Sequence, residues 1–148
     1  MDEAKPRLVG MNHVALEVGD IDEALAFYGQ IFAFELRGRS ERIAFIDMGD
    51  QFLNFSLGRT QAADAERHFG LVVDDKERVR ERLAELDIEL LPGRGIDFLD
   101  PWGNRIQIVD YREIQYTKTP EILSSMKLDG LRKTDAALAE IEAKFGRG

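Results

Sequence analysis

The chain contains no cysteine. That excludes disulfide frameworks, thiolate metal sites and cysteine nucleophiles, and makes the reducing cytoplasm the expected compartment. Positive charge is scarce. Twenty Lys and Arg face 28 Asp and Glu, for a net charge of −8. Binding to nucleic acid or to anionic lipid needs clustered cations, so neither is an expected partner. No apolar run approaches the roughly 20 residues of a membrane span. The opening Met1-Asp2-Glu3-Ala4-Lys5-Pro6 is charged where a signal peptide would be apolar. Histidine is nearly absent, with only His13 and His68. What is present is 148 residues at 44% hydrophobic, enough to bury a core as one domain.

The chain repeats itself. Asn12-His13-Val14-Ala15-Leu16-Glu17-Val18-Gly19-Asp20 aligns without a gap on Arg67-His68-Phe69-Gly70-Leu71-Val72-Val73-Asp74-Asp75. In each copy a helical stripe follows: Ile21, Ala24, Leu25 and Tyr28 in the first, Val79, Leu83 and Leu86 in the second. Asp20 and Asp75 stand at the N-cap positions, where a carboxylate accepts orphan helix N–H groups. Three short strand-like runs come next, at 34–38, 42–48 and 51–57 and again at 88–91, 96–99 and 105–111, separated by Gly, Pro, Asp and Asn turns. The expected organisation is one domain over 1–148: module one at about 8–57, a polar linker at 58–66, module two at about 67–111 and a helical tail at 112–148. One sheet with one helix leaves a face without a partner. Two copies therefore predict an α+β pseudo-twofold protein with two sheets curved around a shared cavity. In the tail, Thr119-Pro120 and Thr134-Asp135 read as helix starts. Leu138, Ile141 and Phe145 read as the second tail helix's apolar stripe, and Gly146 as its stop. The tail is expected to cover a sheet edge or to meet a neighbouring subunit.

The duplicated Asn12-His13-Val14-Ala15-Leu16 start, the strand order and Asp100-Pro101-Trp102-Gly103-Asn104-Arg105-Ile106 together resemble the vicinal oxygen chelate superfamily, which includes glyoxalase I, extradiol dioxygenases and the fosfomycin- and bleomycin-resistance proteins. The resemblance covers residues 8–111. It implies paired βαβββ modules forming curved half-barrel sheets around a central cavity. It also implies a divalent metal (Zn, Ni, Fe, Co or Mn) held by residues of the first and last strands. The first-strand ligand positions fall on His13 and His68. The last-strand position of the second copy falls on Gln107, where the family usually has Glu; that of the first copy falls on Asn54 if its hairpin is one residue longer, and otherwise on Leu53, which cannot ligate. A His, His, Gln and Asn set carries no negative charge, and imidazoles suit these transition ions better than Mg or Ca. A homodimer is a further implication of the resemblance.

Strand alternation places His13, Ala15 and Glu17 on one face, opposite the more apolar Val14, Leu16 and Val18. The histidine face is thus the expected cavity face, and Glu17 is a candidate general base or third ligand. Arg105 shares a face with Gln107 and is a candidate clamp for an anionic substrate, or else a surface residue beside Asp100. Phe52 and Trp102 are candidate substrate-binding aromatics, with Phe45, Phe55 and Phe98 as further candidates or core. Asn104 suits a turn, because Asn tolerates the left-handed backbone. Tyr111 and Tyr116 are acid/base candidates. Two functions follow. One is a metal-dependent, glyoxalase-like lyase or isomerase acting on a small oxygen-chelating substrate; a dioxygenase fits less well because the facial triad wants a carboxylate. The other is a metal-free, bleomycin-resistance-like protein that sequesters a cationic aromatic compound.

Overall fold

The structure, a computed structural model, describes residues 5–146, so the first four residues of the charged N-terminus lie outside the described residues. Module one is β1 (His13–Val18), α1 (Ile21–Ile31), β2 (Glu35–Arg39), β3 (Ile43–Asp47) and β4 (Phe52–Leu57). Module two is β5 (Phe69–Val73), α2 (Lys76–Glu85), β6 (Ile96–Leu99) and β7 (Arg105–Asp110). A 3₁₀ turn (Tyr111–Glu113), α3 (Pro120–Ser125) and α4 (Asp135–Phe145) form the tail. Four strands make sheet A in the order β1-β4-β3-β2, and three make sheet B in the order β5-β7-β6. In each module the first strand runs parallel to the last. This is the expected α+β architecture of two open sheets with a helical tail.

The helices start where the sequence says they should. Asp20 accepts from the Glu23 amide at 2.8 Å, and Asp75 accepts from the Glu77 and Arg78 amides. Thr119 and Thr134 cap α3 and α4 in the same way. A capping side chain of this kind contributes about 1 kcal/mol.

The expected strand at 88–91 does not form. Asp87 leaves α2 in the left-handed region (φ 56°), and the Ile88 amide turns back to the Leu83 carbonyl at 2.9 Å. That tight exit consumes the residues a strand would need, and Pro92 then offers no N–H to a ladder. One bond, from the Leu91 amide to the Asp97 carbonyl at 2.8 Å, marks where the strand would have paired.

One core serves both modules. Leu16, Val18, Tyr28, Phe55, Leu83, Phe98 and Ile106 are all essentially inaccessible to solvent. Tyr28 and Phe27 of α1 reach both sheets: Tyr28 packs on Phe55 at 4.7 Å and Phe27 on Phe98 at 6.3 Å between ring centres. Phe55 and Phe98 are therefore core rather than pocket. The opposite faces of the sheets, carrying His13 and Ala15 on β1 and Gly70 and Val72 on β5, lie open to solvent.

The tail crosses from sheet B to the β3–β4 hairpin. Lys118 Nζ donates to the Met48 carbonyl at 2.6 Å and to Asp50. Lys133 Nζ donates to the carbonyls of Tyr111, Ile114 and Tyr116 at 2.6–2.8 Å. Between tail, hairpin and β5 lies a cavity of about 100 Å³ whose walls include Met48, Leu71, Tyr116 and Met126. The stripe expected on α4 is displaced: Leu138 and Phe145 are exposed, and Ala137 is the residue that is buried. Gly146 does cap the helix. No helix among the described residues is long and apolar enough to cross a membrane.

Candidate functional site

His13 is the first residue of β1, and Phe52 stands opposite it on β4. Their rings stack at 4.8 Å with 9° between planes. His13 Nδ1 lies 2.8 Å from Asn12 Oδ1, and His68 Nδ1 lies 2.8 Å from the Glu66 carbonyl. Both partners are acceptors, so each Nδ1 carries the hydrogen. In the neutral ring Nε2 is then the free base. This is the arrangement by which an oxygen partner fixes a ligating imidazole. His13 opens β1 of sheet A, whereas His68 is the exposed residue immediately before β5 of sheet B, and no hydrogen bond or ring contact joins the two rings among the described residues.

Asn54 faces Ala15 on one side and Phe45 on the other, on the His13 face. It is 7% exposed, and its Oδ1 is a buried oxygen without a hydrogen-bond partner. An unpaired buried acceptor costs about 1–3 kcal/mol. Such a cost is tolerated where a donor or cation arrives from outside the chain. Gln107 stands between Gly70 on β5 and Asp97 on β6, and its amide makes no hydrogen bond among the described residues. Among those residues no three His, Asp or Glu side chains gather as a metal cluster.

Glu17 shares the His13 face but sits four residues further along β1, about 13 Å away at the usual strand rise. Its Oε1 accepts from Gln61 Nε2 at 2.9 Å, and Gln61 Oε1 accepts from Arg67 at 2.5 Å. Arg67 in turn pairs with Asp64 at 2.7 Å. Burial pushes the Asp64 carboxyl upward, but Arg67, the Arg105 amide and Arg59 together hold it below the ordinary carboxylate value.

Three expectations need correction. Arg105 does not lie beside Asp100. It pairs with Asp97 (Nε to Oδ2 3.0 Å) and donates to the Ala65 carbonyl at 2.6 Å, so the wall of sheet B already holds its guanidinium. Trp102 is not on the open face. Its indole covers the backbone of Gly19, where an added Cβ would come within 2.5 Å of Nε1. Asn104 does not take the left-handed turn position, which falls to Gly103 (φ 88°). Instead its Nδ2 donates to the Glu17 carbonyl and to Asp100, tying the β6–β7 hairpin to β1. The tyrosines have structural partners: Tyr111 accepts from the Lys118 amide and Tyr116 donates to Gln51. Phe52 is where it was expected, half-buried on the open face, with Phe45 edge-on at 5.7 Å. Sequence reasoning missed Arg37, whose guanidinium carbon lies 4.7 Å from the Phe52 ring centre. It also missed Asp97, although alternation along 96–99 would have put Asp97 on the Gln107 face.

A sequence profile of the Glyoxalase/Bleomycin resistance protein/Dioxygenase superfamily matches residues 10–108. The chain belongs to that superfamily. Among curated relatives, the metallothiol transferase FosB of Bacillus licheniformis is 24% identical over 116 residues, covering 69% of this chain and 75% of the relative. FosB of Shouchella clausii is 25% identical over 134 residues, covering 77% and 92%. Among solved structures, the fosfomycin resistance protein FosX of Listeria monocytogenes, complexed with Mn(II) and sulfate, superimposes with a TM-score of 0.59 at 21% identity, covering 69% of this chain and 92% of that one. Lactoylglutathione lyase of Agrobacterium tumefaciens gives 0.58 at 24% identity, covering 72% and 96%. At these identities the solved structures speak for the fold.

Proposed function

We propose that this protein is a divalent-metal-dependent, glyoxalase-like lyase or isomerase acting on a small oxygen-chelating substrate. The observation that carries this reading is the pair of exposed imidazoles. Each has its Nδ1–H given to an oxygen and its Nε2 left free, at the same position of two repeated modules. His13 and His68 would hold the ion, with Asn54 Oδ1 and the unbonded Gln107 amide completing the set. The donor chemistry favours Zn, Ni, Fe, Co or Mn over Mg or Ca. The metallothiol transferase relatives and the Mn(II) complex of FosX support a divalent ion.

Such an ion would act as a Lewis acid on paired substrate oxygens. The chain's own residues do the rest. Phe52 fixes the plane of His13 and offers an apolar wall. Gln61 holds Glu17 by Oε1, but at about 13 Å along β1 from His13 its carboxylate stands beyond reach of an ion held there and is assigned no proton-transfer role.

His13 opens β1 of one sheet and His68 immediately precedes β5 of the other, so a second copy is proposed to complete the site. The open face of sheet A in one protomer would meet that of sheet B in its partner, as a homodimer. A metal-free pocket for a cationic aromatic compound is disfavoured, because the Arg37 guanidinium already lies over Phe52. Elemental analysis and Mn(II) titration of untagged protein test the metal. About one equivalent per chain is expected, lost when His13 and His68 are both replaced by Ala. Uptake below about a tenth of an equivalent would sink the proposal.

A further inference from the structure

Building on that metal-site reading, we infer that Arg37 recognises a carboxylate on the substrate, so that the substrate class is a small, oxygen-chelating organic acid.

Three observations carry this. The first is backbone geometry. The β2–β3 register pairs Leu36 with Ile46 but Gly38 with Phe45, so Arg37 is the extra residue of a β-bulge. A bulge gives up regular pairing and re-aims a side chain, and bulges recur beside functional sites. The second is where Arg37 is aimed. Its guanidinium lies over Phe52, the ring on which His13 stacks. In the order β1-β4-β3-β2, β1 borders β4 on one side and β2 lies beyond β3 on the other, so the His13 imidazole and the Arg37 guanidinium, which reaches across β3, approach that ring from opposite sides of β4. The two centroid distances, 4.8 and 4.7 Å, bound their separation at a span a small metabolite bridges.

The third observation is that the cation has no anion. Arg39 pairs with Asp22, Arg67 with Asp64, Arg105 with Asp97 and Arg112 with Asp110. Arg37 makes no ion pair or hydrogen bond among the described residues. Its planar donors are thus available for bidentate pairing with a carboxylate. The other arginine expected to clamp an anion, Arg105, is already held by Asp97 and the Ala65 carbonyl. The site would therefore chelate one end of the substrate at His13 and read charge at the other through Arg37.

The test uses full-length protein loaded with Mn(II), titrated calorimetrically with two chelators. Acetohydroxamic acid offers the chelating group alone, and succinic monohydroxamic acid adds a carboxylate. Wild-type protein is expected to bind the carboxylated probe about tenfold tighter or more. Arg37→Gln should abolish that preference and leave Mn(II) affinity and acetohydroxamate affinity unchanged within about twofold, while Arg37→Lys should retain part of it. If Arg37 only shields Phe52, thermal stability will drop while the preference survives, and the proposal fails. It fails equally if wild-type protein shows no preference while binding Mn(II) normally. A wild-type protein that takes up no Mn(II) overturns the metal reading and this assignment with it.

Discussion

The Tyr28 hydroxyl donates to Asp100 Oδ2 at 2.8 Å, joining the helix of module one to the last hairpin of module two across 72 positions of sequence. Asp100 also accepts from the Trp102 and Asn104 amides and from Asn104 Nδ2. Burial first, and the Asp100 carboxylate second, push the Tyr28 pKa well above its ordinary value of 10. The unfolded chain therefore releases this proton at a pH where the fold still keeps it, and stability falls as pH rises beyond 10. Tyr28→Phe should cost about 1 kcal/mol at neutral pH and flatten the alkaline loss. Asp100→Ala, which strands two amides, should cost about 3 kcal/mol. Urea unfolding at neutral pH and above pH 10 measures both.

Asp110 predicts the acid limb. It is 2% exposed. Burial alone would raise its pKa, but the Arg112 side chain and the Lys76 and Arg112 amides bring it down to about 2. The stability this provides is complete above the unfolded value of 3.8 and is lost as pH falls toward about 2. The shift corresponds to roughly 2 kcal/mol. Asp110→Asn should lower stability by that order at neutral pH and remove most of the change between pH 4 and 2, as seen by circular dichroism during acid titration.

Much of this was legible in the sequence, for reasons that differ by residue. The N-caps Asp20, Asp75, Thr119 and Thr134 act on amides two or three positions away, so local chemistry announces them. The two modules were visible because the same periodicities recur 55 residues apart, as His13 and His68 do. The failures are all long-range or geometric. Residues 88–91 carry strand-like apolar content, but the left-handed exit at Asp87 wins locally. Arg105 chose Asp97 rather than Asp100 because sheet register, not sequence distance, decides which carboxylate is near. Trp102 was claimed by Gly19, a contact between modules that no local pattern encodes. Arg37 escaped notice because a bulge overrides the alternation on which strand facing is read.

Asn54 separates stability from function. Its buried, unpartnered Oδ1 is a cost to the folded chain, and Leu is of similar volume. Asn54→Leu should therefore be neutral or stabilising by about 1 kcal/mol. If the oxygen serves the proposed metal, the same change should weaken Mn(II) affinity by about tenfold or more. Calorimetric unfolding and Mn(II) titration of the same preparation give both numbers. A Leu variant that binds Mn(II) normally would remove Asn54 from the ligand set.

With His13 at the start of β1 and His68 just before β5, in separate modules, the subunit origin of the site is testable by mixing. In a crossed dimer each site would take His13 from one protomer and His68 from its partner. His13→Ala and His68→Ala homodimers would then each have two damaged sites and bind little metal. Unfolded together and refolded as an equimolar mixture, half of the dimers would be mixed. Each mixed dimer would carry one site with both lesions and one site with neither. Mn(II) binding should therefore return to roughly a quarter of the wild-type capacity, with wild-type affinity. If both histidines of a site came from one chain, every site in the mixture would keep a lesion and no capacity would return. Titration of the refolded mixture against each parent variant distinguishes the two arrangements.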